Sequence, residues 1–111
     1  MRKFSESSRV RYIKIIDYYN TMKQAIESIV ESFKSFFGNT MPEEEYRKTI
    51  KVSNSKFGDF SFPCHKLAKE LCHEGNENHI AEWTLENLDY DKNLFKKAEA
   101  VGPFINFFLN E

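Results

Sequence analysis

Between residues 5 and 37, apolar side chains return every three or four positions: Val10, Ile13, Ile16, Tyr19, Met22, Ile26, Ile29, Phe33 and Phe36. That spacing lines one face of an α-helix. Gly38-Asn39 supplies a C-terminal stop, and Pro42 follows it. A single helix of this span is more than about 45 Å long. That exceeds the width of a 111-residue domain. The sequence therefore predicts a break near Asn20-Thr21, where Thr21 and Gln24 can form a capping box. Residues 1–20 then read as a separate helical extension, and 21–111 as the domain. The extension carries Arg2, Lys3, Arg9, Arg11 and Lys14, which read as a solvated charged face.

After the helix the pattern changes. Met41 to Arg47 reads as an acidic linker, and Lys48 to Val52 alternates like a strand. Gly58-Asp59 is a turn signal, with Phe60 and Phe62 alternating behind it. Pro63 suits the first position of a helix whose apolar stripe is Cys64, Leu67, Ala68, Leu71 and Cys72, with Gly75 as its stop. Asn76 or Asn78 can cap a further helix to about Leu88, with Ile80, Ala81, Leu85 and Leu88 inward and Trp83 at the rim. Asp89 to Asn93 reads as a polar loop. Leu94–Val101 and Phe104–Leu109 read as a hairpin turned by Gly102-Pro103. No strand–helix–strand crossover repeats. The expected class is α+β: two layers, with helices on one face of a small antiparallel sheet and a long N-terminal helix.

Chemistry-bearing patterns are scarce. The net charge is -1, so an RNA contact has to rely on local patches. No apolar run approaches the ~18 residues of a membrane span. Met1 to Val10 has no apolar core and does not read as a secretory signal, so a cytoplasmic location is expected. Cys64-His65 and Cys72-His73 invite a zinc reading, but eight residues of helix rise about 12 Å. Ligands ~2.0–2.3 Å from one ion cannot be spread that far along one axis. The two cysteines read as small buried thiols on a helix face. Four glycines, unclustered, make no phosphate loop. "HEGN" at residues 73–76 matches a nucleotide-binding His-x-Gly-His only by eye, and it ends a helix. No catalytic or metal site is expected in this chain.

Two motifs stand about forty residues apart. The first is Gly58-Asp59-Phe60-Ser61 and Pro63, followed by Leu67-Ala68-Lys69. The second is Glu99-Ala100-Val101-Gly102-Pro103-Phe104-Ile105-Asn106-Phe107. "IAEWTLENL" (80–88) lies between them. In order and spacing they resemble the N-terminal additional domain of arginyl-tRNA synthetase, from about Thr21 to the C-terminus. That family runs Gly-Asp-aromatic, Leu-Ala-Lys, Ile-Ala-Glu, then Gly-aromatic-Ile-Asn.

The resemblance implies a domain that docks on the outer corner of the tRNA L and contacts its D-loop, with the final asparagine, here Asn106, reading a base. An amide offers both a donor and an acceptor to a base edge. By strand alternation Phe104, Phe108 and Asn110 share its face, and aromatics there can stack on bases at roughly 1–3 kcal/mol each. Lys56, Lys66, Lys69, Lys96 and Lys97 are candidate phosphate contacts. Ile105, Phe107 and Leu109 are the core side of the same strand. Many members carry Gly-Pro-Gly where this chain has Gly102-Pro103 alone, and Met1 to Asn20 matches nothing in the family pattern. The His-x-Gly-His and Lys-Met-Ser-Lys signatures of the catalytic domain are absent. The expected partners are tRNA and a catalytic synthetase domain, with no DNA and no membrane. No cofactor is expected, since ATP and Mg belong to a full-length arginine–tRNA ligase parent. The alternative is a protein-interaction or oligomerisation module built on the same domain.

Overall fold

A computed structural model of the chain describes residues 6–55 and 58–110, with side chains described over 19–53 and 58–110. Helix α1 (Glu6–Phe37) leads through a 3-10 turn (Gly38–Thr40) to α2 (Glu43–Thr49). Then come β1 (Lys51–Ser55), β2 (Gly58–Pro63), α3 (His65–Glu70), α4 (Glu77–Asn87), β3 (Phe95–Val101) and β4 (Phe104–Leu109). The four strands form one antiparallel sheet in the order β1-β2-β4-β3. The expected α+β class with its long N-terminal helix is what is found.

Helix α1 runs unbroken through Asn20-Thr21, so the break expected there does not occur. Nothing at that point forces one: neither residue is Pro or Gly, and continuing the helix keeps every i→i−4 hydrogen bond. Among the residues whose side chains are described, α1 enters the core from Met22 onward. Ala25, Ile29, Val30 and Phe33 are buried, and Met22 and Ile26 pack against them, while Tyr19 is 65% exposed.

The presumed acidic linker is α2. Pro42 opens it, Glu43, Glu44 and Glu45 fill its first turn, and Arg47 and Lys48 occupy its last. That charge order complements the helix macrodipole. Tyr46 is its buried anchor. Arg47 ties α2 to α1 through a two-pronged contact with Glu27, at 2.7 Å from both Nε and Nη2. This contact holds the Glu27 carboxyl below the usual carboxylate range.

The core is aromatic. Phe33 of α1 stacks on Phe62 of β2 with ring centroids 4.0 Å apart. Phe60, Phe95, Phe107 and Tyr90 form a second cluster of edge and tilted contacts. Such pairs contribute about 0.5–1.5 kcal/mol beyond area burial. Phe60, Phe62, Ile105 and Phe107 all point to this side of the sheet and are fully buried. Trp83 sits at the rim against Phe36 and Phe37, as its place beside the stripe of α4 suggested.

Two readings around α3 need correction. Pro63 is the last residue of β2, opposite Phe104, and not the first of a helix. The helix also closes earlier than Gly75. Cys72 takes the left-handed conformation (φ 60) with His73 N–H donating to Ala68 O, a Schellman-type ending without glycine. Cys72 is consequently exposed, and only Cys64 is a buried thiol. Burial pushes the Cys64 thiol up to about 12. A bulky thiol reagent is therefore expected to modify one cysteine in the native protein and two after denaturation. Rapid reaction of both in native buffer contradicts this packing.

Candidate nucleic-acid interface

The face of the sheet opposite the core carries the second motif. β4 sits between β2 and β3, so its outward residues have neighbours on both sides. One register row crosses all four strands: Lys51, Ser61, Asn106 and Glu99. Residues in one row project to one face. Phe104 stands beside this row, 40% exposed, with the His65 ring edge-on at 6.1 Å. Phe108 stands on the other side, half-buried, with the Lys97 ammonium 4.4 Å above its ring. Asn106 is the floor of the face, 5% exposed. Its amide has no hydrogen-bond partner among the described residues. Nor is it among the fully buried unpaired atoms there, of which Thr84 Oγ1 is the one found.

Three local devices aim this amide. Gly58 opens β2 at φ 121, and a Cβ there would lie 3.0 Å from the Phe107 carbonyl oxygen and 3.3 Å from the Asn106 Cβ. Only glycine lets the two strands close over Asn106. Asp59 Oδ2 accepts the Leu109 N–H at 2.9 Å. The carboxylate thereby stands in for a strand partner where β2 begins. The Gly-Asp motif therefore has a structural task, which is to seat β4. Finally, Gly102 (φ 58) and Pro103 make the two-residue turn before Phe104. A primed hairpin turn needs this positive φ in its first central residue. The Cys64 N–H donates to the Pro103 carbonyl at 2.9 Å and pins that turn to the end of β2.

The sequence-predicted residues separate into groups. Asn106, Phe104 and Phe108 share the open face, as alternation suggested. Asn110 is exposed, but its amide nitrogen donates to the Lys92 and Asn93 carbonyls at 3.1 and 2.8 Å, which fastens the loop before β3. Lys96 is the extra residue of a bulge between Phe95 and Lys97, and this shift places Lys97 opposite Phe108. Lys97 also pairs with Glu99 at 3.0 Å. Lys69 is exposed on α3. Lys56 lies outside the described residues.

Lys66 pairs with Glu45. That contact holds the Glu45 carboxyl below its ordinary range, with Lys48 adding to the effect. Lys66 also belongs to a grouping that sequence spacing alone did not bring together. Lys48, Lys51, Pro63, His65, Lys66 and Glu45 line one shallow depression of about 260 Å³ where α2, β1 and α3 meet. Among the described residues no group of three His, Cys, Asp or Glu could hold a metal ion, and no helix is long and apolar enough to cross a membrane.

Comparison with known proteins agrees with the motif order. The family model described as arginyl tRNA synthetase N terminal domain matches residues 20–109. An arginine–tRNA ligase of Pediococcus pentosaceus is 41% identical over 68 residues, covering 61% of this chain and 11% of that protein. The arginine–tRNA ligase of Ligilactobacillus salivarius is 33% identical over 96 residues, covering 86% of this chain and 15% of that protein. The solved arginyl-tRNA synthetase of Thermus thermophilus superposes with a TM-score of 0.55 at 26% identity, over 79% of this chain and 14% of that one. The chain thus spans about a seventh or less of the length of these relatives. With the motifs, the fold and the match all covering the same stretch, the chain belongs to the arginyl-tRNA synthetase N-terminal domain family.

Proposed function

We propose that this domain binds tRNA at the elbow, with Asn106 reading a D-loop base. In this reading it supports arginylation by a catalytic synthetase domain, carries out no chemistry itself, needs no cofactor of its own and works in the cytoplasm. One observation carries the reading. The Asn106 amide is held at the centre of an open sheet face, without a hydrogen-bond partner among the described residues, in the family's closing motif. A shielded amide that is already positioned loses little entropy on meeting a base edge. Phe104 and Phe108 flank it as stacking surfaces.

The test is Asn106→Ala, measured by binding to a tRNA transcript. A hydrogen-bonded base contact contributes about 1–2 kcal/mol, so affinity should fall ~5–30-fold. The melting temperature should hold, because no side-chain hydrogen bond among the described residues depends on the amide. Unchanged affinity would remove Asn106 from the site.

A second reading has its own observation. Tyr19 is largely exposed, and it lines a groove with Met22, Ile26 and Arg47 between α1 and α2. This surface suits a second copy of the chain. Sedimentation decides: a tight dimer without tRNA binding would favour it.

A further inference from the structure

We infer that the RNA backbone crosses the sheet on its β1 side, over a cationic track made by Lys48, Lys51 and Lys66 with His65 among them. This rests on the RNA reading above and adds the path of the phosphates to it.

The two sides of Asn106 differ in charge. On the β3 side its immediate neighbour is Glu99, exposed and already paired with Lys97. A carboxylate there repels phosphate, and of the two β3 lysines Lys97 is partly neutralised while Lys96 sits at the bulge beside Phe95, off the row of Asn106. On the β1 side the register row continues through the uncharged Ser61 to Lys51. Two strand spacings separate Lys51 from Asn106, about 10 Å. Beyond the edge Lys51 joins Lys48, Lys66 and His65 around one depression, with Glu45 as the acid in its lining. Three lysines against one carboxylate leave this rim positive, whereas the whole chain is near neutral at -1. The His65–Phe104 ring contact makes the rim continuous with the aromatic end of the open face. A nucleotide with its base on Asn106 therefore finds the uncharged Ser61 and then three lysines toward β1, and the Glu99–Lys97 ion pair toward β3. Lysine serves here as a point charge toward phosphate oxygens.

Glu45 has a defined part in this arrangement. Its ion pair with Lys66 occupies one cation of the track. Phosphate arrival competes with that pair, and both partners are exposed enough for the exchange to cost little.

The experiment is a salt series of tRNA-transcript binding by fluorescence anisotropy between 50 and 200 mM salt. It compares wild type with the double variant Lys48→Gln/Lys51→Gln, with Glu45→Gln, with Asn106→Ala and with Lys34→Gln on the helix layer. Each lost single-strand phosphate contact lowers the slope of log affinity against log salt by ~0.7. The double variant should therefore lose about 1.4 from the slope, so its affinity changes ~7-fold less over this range. Glu45→Gln should bind more tightly at low salt. Asn106→Ala should weaken binding at every salt with its slope kept, and Lys34→Gln should match wild type. A double variant that keeps the wild-type slope, or Lys34→Gln losing as much as the double, overturns the track while leaving the Asn106 reading standing. Absence of wild-type tRNA binding overturns both.

Discussion

Phe33→Ala is expected to lower unfolding stability by about 3–5 kcal/mol, the usual loss for truncating a fully buried phenylalanine. A domain of this size has only about 5–15 kcal/mol in total. The melting temperature should consequently drop by at least ~10 °C. The reason is its position. Phe33 is the α1 side chain that meets both the sheet, through Phe62 at 4.0 Å, and α2, through Tyr46 at 6.1 Å. Removing it leaves a cavity between three elements that cannot all move inward together. Phe36, one turn on and 38% exposed, leans on Phe37 and Trp83 at the rim. Phe36→Ala should cost less than half as much. Thermal melts of the two variants check the orientation of α1, and equal losses would contradict it.

Gly58→Ala is expected to cost about 2–4 kcal/mol, combining an unfavourable positive φ with a contact that cannot relax. The added methyl meets the Phe107 carbonyl at 3.0 Å, and a backbone atom in the central strand cannot rotate away. Gly102→Ala is the control. It too has positive φ, but nothing lies within 4 Å of its added Cβ, so only strain of about 1 kcal/mol applies. Because the Gly58 methyl would also press on the Asn106 Cβ, Gly58→Ala should weaken RNA binding beyond its effect on folding. Urea melts of both glycine variants, with binding measured on the folded fraction, separate the two effects.

The parts of the molecule that sequence periodicity revealed are those where one face is mostly apolar. Helix α1, helix α4 and the β3–β4 hairpin all have that property, and β4 was readable to the residue. Helix α2 was hidden because it buries a single large side chain, Tyr46. Three adjacent glutamates resemble a solvated linker unless the helix dipole they complement is considered. Pro63 fitted either a helix start or the end of a strand. Its pairing opposite Phe104 decided in favour of the strand, a choice that depends on a hairpin forty residues away.

The candidate site divides along the same line. Alternation alone put Phe104, Asn106 and Phe108 on one face. It could not show that the Asn110 nitrogen is engaged by loop carbonyls, or that a bulge at Lys96 turns Lys97 toward Phe108. The cluster of Lys48, Lys51, His65 and Lys66 comes from three elements, so no local pattern could announce it. The Gly-Asp motif was visible as a motif. Its task, holding β4 through the Leu109 N–H, requires knowing that residues 59 and 109 are neighbours.

The central claim is that RNA meets the open sheet face at Asn106. The most direct measurement is a titration of isotope-labelled protein with a tRNA transcript, followed by backbone and asparagine side-chain amide shifts. Shifts are expected to concentrate on residues 102–108, on Ser61 and on the Asn106 side-chain amide, and to diminish strongly in Asn106→Ala. Shifts confined to α1 and α4, with the Asn106 amide unmoved at saturation, would contradict it.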